Sequence, residues 1–383
     1  MAHRSGVSLL CVDSVFYLDS YGYSLSISSD GNVYTFGSSI FKLNNKRDIK
    51  IHPEIIYSSK NIRSISCSTR HVVFLDDKGS VFGLGQNTYG QLGRAKPEII
   101  KNLRKISLPP IKQVACGTDF TICVSELGEV YSFGENGYNG QLGLVDNEDY
   151  AIPQRIELLK DVDFVECGFK FTFCKDNNNN VYCWGSNDYG QLGNGSKSVQ
   201  TYPILCEDIP DNIVDIRCGQ FHTLILTYNQ EVFSTGHNYH GELGRKTDDS
   251  YDTSFKKIED LSDIIRIQCG DDHSMCIDIN NDLYVFGSNR YGELGLGDIN
   301  DRRSPVKNEF ISDVVDISSG GYHTFVKTST NEIYAFGISK FSQIGINTEK
   351  GILNKPMQVL QNNEDLWNSI IKQPRAKSAR SVI

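Results

Sequence analysis

Tryptophan appears only twice in 383 residues, at Trp184 and Trp367, and methionine three times. Two indoles are too few for a light-absorbing tryptophan cluster. Long apolar runs are also missing: nothing approaches the roughly 20 residues that cross a bilayer as a helix. Met1 to Asp13 holds a short apolar run without a signal-cleavage pattern. No membrane attachment is expected, and Asn194-Gly195-Ser196, which fits a glycosylation acceptor, reads as a chance match. Positive charge is in short supply, with 38 Lys and Arg against 47 Asp and Glu and a formal net charge of −9. Affinity for nucleic-acid phosphates needs a basic face, so DNA binding is not expected. A protein partner with a basic surface suits this balance better. Neither a Gly-x-x-x-x-Gly-Lys-Ser/Thr phosphate loop nor a Gly-x-Ser-x-Gly elbow occurs. The acidic clusters at Asp146, Glu148 and Asp149 and at Asp248, Asp249 and Asp252 look like solvated charge rather than a paired general acid and base. No covalent catalysis, cofactor or metal is expected.

What is plentiful is glycine (34), tyrosine (19) and phenylalanine (19), and these recur with a period. A glycine after an apolar or small residue returns at Gly37, Gly85, Gly134, Gly185, Gly236, Gly287 and Gly337, in steps of 48, 49, 51, 51, 51 and 50 residues. Fourteen residues before each stands a second marker: Tyr23, His71, Phe120, Phe171, His222, His273 and His323. The fixed interval reads as a hairpin, with alternating residues either side of turns such as Asp30-Gly31, Lys78-Gly79 and Asn177 to Asn180. An apolar strand ending in a small pair precedes each hairpin, as in Val114-Ala115-Cys116-Gly117. A glycine-bounded loop follows, as in Tyr189-Gly190-Gln191-Leu192-Gly193, and then a fourth strand near a proline (Pro153, Pro203, Pro305, Pro356). Four antiparallel strands repeated radially make a β-propeller. The expected fold is all-β, a seven-bladed propeller over residues 1–360 closed by a terminal strand, with a polar then basic tail at 361–383. Residues 5–10 and Pro356 to Leu360 both match the fourth strand that would complete the seventh blade.

Cys218-Gly219-Gln220-Phe221-His222-Thr223 and Gly185 to Gly193 carry a specific likeness. The repeat resembles that of the regulator of chromosome condensation family, over roughly residues 5–360. That resemblance implies seven blades in a closed ring. It also implies that acidic residues of the loop before the second strand meet the basic face of a small nuclear GTPase. The first repeat departs from the pattern, since Gly37 to Asn44 lacks the glycines of the second loop.

Single residues weigh less than their repeat positions. His71, His222, His273 and His323 resemble catalytic bases in isolation, but Tyr23, Phe120 and Phe171 fill the same slot elsewhere, so they are expected to pack. Eleven cysteines, five at one repeat position, read as buried reduced thiol. The Cys116/Cys123, Cys167/Cys174 and Cys269/Cys276 spacings do not fit zinc sites. His240 takes the loop slot of Tyr89, Tyr138, Tyr189 and Tyr291 and is expected to pack there. The basic stretch Arg94, Lys96, Lys101, Arg104 and Lys105 reads as a solvated loop.

The variable positions are the pairs before the ring residue. Both glycine-rich steps emerge at one mouth of the ring, and Asp119, Phe169, Lys170, Phe221, Asp271, Asp272 and Tyr322 are the candidate partner contacts. Aromatic anchors beside charge suit a protein interface. The expected function is a scaffold docking a protein partner on the glycine-loop face. The alternative, carried by the resemblance, is a guanine-nucleotide exchange factor for a Ran-like small GTPase, with Asp119, Asp271 and Asp272 as contacts. Cytoplasm is the expected compartment, with the nucleus as the alternative.

Overall fold

The computed structural model describes residues 9–12, 23–27, 32–38, 49–57, 61–95, 97–340, 342–345 and 351–359. The Asp30-Gly31 turn, the first-repeat loop after Ser38, residues 5–8, Lys96 and the tail at 361–383 with Trp367 lie outside them. Seven four-stranded antiparallel sheets follow one another along the chain. The third is representative: Ile111–Cys116, Phe120–Ser125, Val130–Gly134 and Tyr150–Arg155 pair in that order.

The fourteen-residue interval is a register. Each ring residue is the Cα partner of its glycine, from Tyr23↔Gly37 and Phe120↔Gly134 to His323↔Gly337. At that point the third strand turns sharply; Gly236 has φ +104, and a β-carbon there would collide with the carbonyl of Phe221. Only glycine meets both demands, which is why insertions fall elsewhere in the repeat. The four asparagines form the expected tight turn, with Asn179 left-handed and Asp176 Oδ1 accepting from the backbone of Asn178 and Asn180.

Burial follows strand position. Second strands such as Phe120–Ser125 and His222–Thr227 are buried along both faces, because a neighbouring blade covers each side. Fourth strands are the exposed edge, and Pro153, Pro203, Pro305 and Pro356 sit inside them rather than at their starts. A proline without an N–H costs an outer edge nothing and blocks further pairing. Lys101, Arg104 and Lys105 belong to such an edge strand, Ile99–Lys105, and not to a loop. Hydrophobic clusters straddle blades: Ile122, Val124 and Leu142 of the third pack with Val165, Cys174 and Trp184 of the fourth.

The ring closes without exchanging a strand between chain ends. Ile352–Gln358 is the outer strand of the seventh blade, paired with Ile333–Ile338. Leu9–Val12 is instead the innermost strand of the first blade, paired with Tyr23–Ile27, so the match of residues 5–10 to a fourth strand is corrected. The seventh repeat brings its own fourth strand, so the N-terminal segment serves its own hairpin. It packs against Val314–Ser319 and His323–Thr328 across the closing seam.

Candidate functional site

Four of the ring residues, the histidines, form a partial belt of hydrogen bonds to the next blade, while Phe120 and Phe171 fill the same slot by packing alone. His71 Nε2 meets Thr121 Oγ1 at 2.9 Å, His222 Nε2 meets Ser274 Oγ at 2.9 Å and His273 Nε2 meets Thr324 Oγ1 at 3.2 Å. His323 Nε2 meets Ser24 Oγ at 3.1 Å, tying the last blade to the first. Each hydroxyl donates its one proton to a carbonyl, as Thr121 to Gln91 and Ser24 to Gln343. The imidazole Nε2–H is therefore the donor in these pairs. All four rings are buried, and burial lowers His71, His273 and His323 to about 3 and His222 to about 4. They are neutral packing residues, as expected.

A buried asparagine shapes the glycine loops of the second to sixth blades. Asn187 Oδ1 accepts from Leu192 N while its amide donates to Ser196 O; Asn87, Asn136, Asn238 and Asn289 hold Leu92, Leu142, Leu243 and Leu294 in the same way. In the third blade a short 3-10 turn, Gly137–Asn139, absorbs one extra residue. It throws Tyr138 out to 92% exposure, away from the slot of Tyr189. His240 does pack, with Nδ1 at 2.8 Å from Asp301 of the next blade.

The two residues before each ring residue have separate destinations. The first of each pair (Thr69, Thr118, Phe169, Gln220, Asp271, Gly321) lines a cavity of about 160 Å³ on the propeller axis, floored by Cys67, Cys116, Cys167, Cys218 and Cys269. Backbone bonds join these loops around the axis, from Thr118 N to Phe169 O, Gln220 N to Asp271 O and Asp271 N to Gly321 O. From Asp119 onward the second of each pair sits at the seam, against the glycine-loop segment of the preceding blade, and Arg70 reaches forward to Asp119.

Each seam has its own chemistry. Asp119 is buried, receives Arg70 Nη1 at 2.8 Å and Gln91 Nε2 at 3.0 Å, and is pushed up to about 6 because burial outweighs Arg70. Lys170 pairs with Glu135 at 3.1 Å, and Gln141 donates to the same carboxylate. Phe221 packs on Tyr189 at 5.1 Å and on Phe169 at 5.5 Å; Tyr189 in turn meets His237 at 4.7 Å, and His237 stacks with exposed Tyr239. Tyr322 packs on Tyr291 at 5.2 Å, and burial raises its hydroxyl above the usual phenol range. Asp272 faces His237 and Glu242. Burial raises the Asp272 carboxyl, and Glu242 adds to the rise. Burial also presses on the His237–Glu242 pair, but their 2.8 Å hydrogen bond prevails, raising the imidazole and lowering the carboxyl.

The structure thus gathers Phe169 and Phe221, adds Tyr189, His237 and Tyr239 to them, and places Asp271 and Asp272 on the sixth blade beside this group. Asp119 and Lys170 are engaged in ion pairs, and Tyr322 lies a blade further round. Sequence reasoning misses Glu242 and reads Tyr189 only as a loop-packing residue; the change from Gln91, Gln141 and Gln191 to Glu242, shared by Glu293, is the signal for the first.

An RCC1-like domain model matches residues 19–259 and 162–373. The chain belongs to the RCC1-like domain family. Among its relatives, this RCC1-like domain is 37% identical to human probable E3 ubiquitin-protein ligase HERC4 over 263 residues, 66% of the chain and 24% of the relative. It is 32% identical to the Arabidopsis thaliana ultraviolet-B receptor UVR8 over 261 residues, 65% of the chain and 58% of the receptor. The chain therefore spans about a quarter of the HERC4 relatives and a little over half of UVR8. In fold it is similar to yeast RCC1 (Prp20) solved with Kap60, with TM-score 0.76 at 19% identity, covering 86% of this chain and 84% of that one. Human WBSCR16 superposes with TM-score 0.75 at 20% identity, covering 86% and 95%. Among the described residues no helix is long and apolar enough to cross a membrane.

Proposed function

We propose that this RCC1-like domain is a regulatory platform that docks a protein partner over the mouth formed by the fourth to sixth blades. The observation that carries this reading is the half-buried aromatic group Phe169, Phe221, Tyr189 and His237, with Tyr239 exposed at its edge and Asp271 and Asp272 beside it. Rigid aromatic area next to desolvated charge is what interface hot spots are made of. The carboxylates favour a partner that presents a basic surface. Such a platform needs no covalent step.

Phe221→Ala with Asp272→Asn is expected to weaken capture of a partner identified with the wild-type domain by roughly tenfold or more, the usual weight of a hot-spot pair. Leu127→Ser, exposed on a hairpin turn at the opposite end, is expected to leave it unchanged. Binding measured by surface resonance checks both; equal affinity for the double variant and wild type would move the interface elsewhere.

A second reading is nucleotide exchange on a Ran-like GTPase. It is favoured by the fold shared with Prp20p, whose crystal structure was reported with its binding to Gsp1p and histones. Of the three acidic contacts that reading requires, Asp119 is buried under Arg70. That leaves Asp271 and Asp272. Release of a fluorescent guanine nucleotide from Ran, timed with and without the domain, is expected to accelerate in this reading and to lose the acceleration in Asp272→Asn. An unchanged rate with wild type would end it.

A further inference from the structure

The seams between blades repeat one three-way meeting: the end of a third strand, the Gln or Glu of its glycine loop, and the second mouth residue of the next blade. Where these residues ionise, they balance or stay single. Glu135 meets Lys170, and where Gln191 bonds Ser186 the next blade supplies the uncharged Phe221. At the next-to-last seam Glu293 is alone, bonded by Ser288 Oγ at 2.8 Å. The seam between the fifth and sixth blades is different. There two carboxylates, Glu242 and Asp272, converge with one imidazole, His237, and the three ligand atoms lie within 4.8 Å of one another.

The three groups are held on rigid elements. His237 ends the strand Val232–His237, Asp272 immediately precedes the strand His273–Asp278, and Glu242 is fully buried with Oε2 accepting from His240 N at 2.9 Å. Tyr189 and Tyr239 fix the imidazole plane from two sides. The Asp272 carboxylate faces the His237–Glu242 pair, with His240 and Arg290 its other charged or titratable neighbours among the described residues. Two carboxylates at this separation repel strongly in a partly dry site. A cation placed between them removes that cost.

We propose that His237, Glu242 and Asp272 bind a divalent first-row transition-metal ion, zinc foremost, across the seam between the fifth and sixth blades. One nitrogen and two carboxylate oxygens are a ligand set for zinc rather than for calcium, which takes six to eight oxygens. The ion replaces the proton shared by His237 Nδ1 and Glu242, which leaves to solvent, and its two positive charges match the two carboxylates. Three protein ligands leave a tetrahedral ion one position, filled by water. The ion would pin two blades at the edge of the aromatic group.

Titration calorimetry of the full chain with zinc chloride, with thiols kept reduced by a phosphine, tests this. One zinc per chain is expected. Glu242→Gln and Asp272→Asn should each weaken binding at least tenfold. Gln91, Gln141 and Gln191 already fill the Glu242 slot in other blades, so Glu242→Gln is compatible with folding, and its metal-free melting temperature verifies that. Cobalt should give a visible d–d spectrum without a near-ultraviolet thiolate band. No binding to wild type, binding unchanged in both variants, or a thiolate band from the cysteines would each overturn the assignment.

Discussion

Lowering the pH from 7 to 5 is expected to cost the domain several kcal/mol of stability, with four buried histidines as the cause. His71, His222, His273 and His323 have folded values of about 3 to 4 against 6.5 for the free side chain. A histidine whose folded pKa is depressed contributes stability that is complete above the unfolded value. That stability drains away as pH falls from about 6.5 towards the folded value, because only the unfolded chain takes up the proton. Over this span each histidine is worth roughly 2 kcal/mol. Asp119, raised to about 6, and Glu293, raised to about 7, act in the opposite sense. The folded state binds their protons first, so they return roughly 1 and 2 kcal/mol. The histidines prevail by number. Urea unfolding at pH 7, 6 and 5 should show the decline. His273→Phe should flatten it by about one quarter of the histidine share, since Phe120 and Phe171 already occupy this slot; the lost bond to Thr324 Oγ1 lowers stability at every pH without adding to the slope. Stability independent of pH between 7 and 5 would contradict the account.

The belt that makes this prediction was half legible in the sequence. The fourteen-residue interval between His222 and Gly236 is a local hairpin register, and local registers leave a periodic trace. The histidine's partner, Ser274, lies 52 residues on in the next blade; its pairing depends on how blades stack, which spacing alone does not carry. The mouth shows the same division. Placement of both glycine-rich steps on one face follows from antiparallel order. The parting of Phe169 towards the axis from Lys170 towards the seam follows from the loop's path, and it gives adjacent residues different roles. Asp119 illustrates the consequence. Its charge suggests an exposed contact, yet Arg70, one repeat earlier in the same slot, covers it. Charge in a repeat slot is read correctly only with the same slot of the neighbouring blade.

Trp184→Ala is expected to destabilise the domain by about 3–5 kcal/mol, the range for deleting a fully buried aromatic. Trp184 belongs to the third strand of the fourth blade, fully buried in the cluster that joins that blade to the third. Its slot holds Phe133, Phe286 and Phe336 in other blades, and each lies under the last glycine of the preceding blade's loop. A β-carbon at Gly143 would sit 2.9 Å from Trp184 Nε1, so the loop is open there to admit the indole. Nε1 donates to Gln141 O at 2.9 Å. Alanine therefore empties the seam and also strands the Gln141 carbonyl, a group that costs about 1–3 kcal/mol when buried without a donor. Gln141 also donates to Glu135, the partner of Lys170, so the loss reaches the mouth. Trp184→Phe puts in the ring that Phe133, Phe286 and Phe336 supply in other blades and gives up mainly the donor and some volume; about half the alanine effect is expected. Denaturant midpoints followed by far-ultraviolet circular dichroism separate the two variants. An alanine variant within about 1 kcal/mol of wild type would mean that the third and fourth blades are held together by something other than this indole.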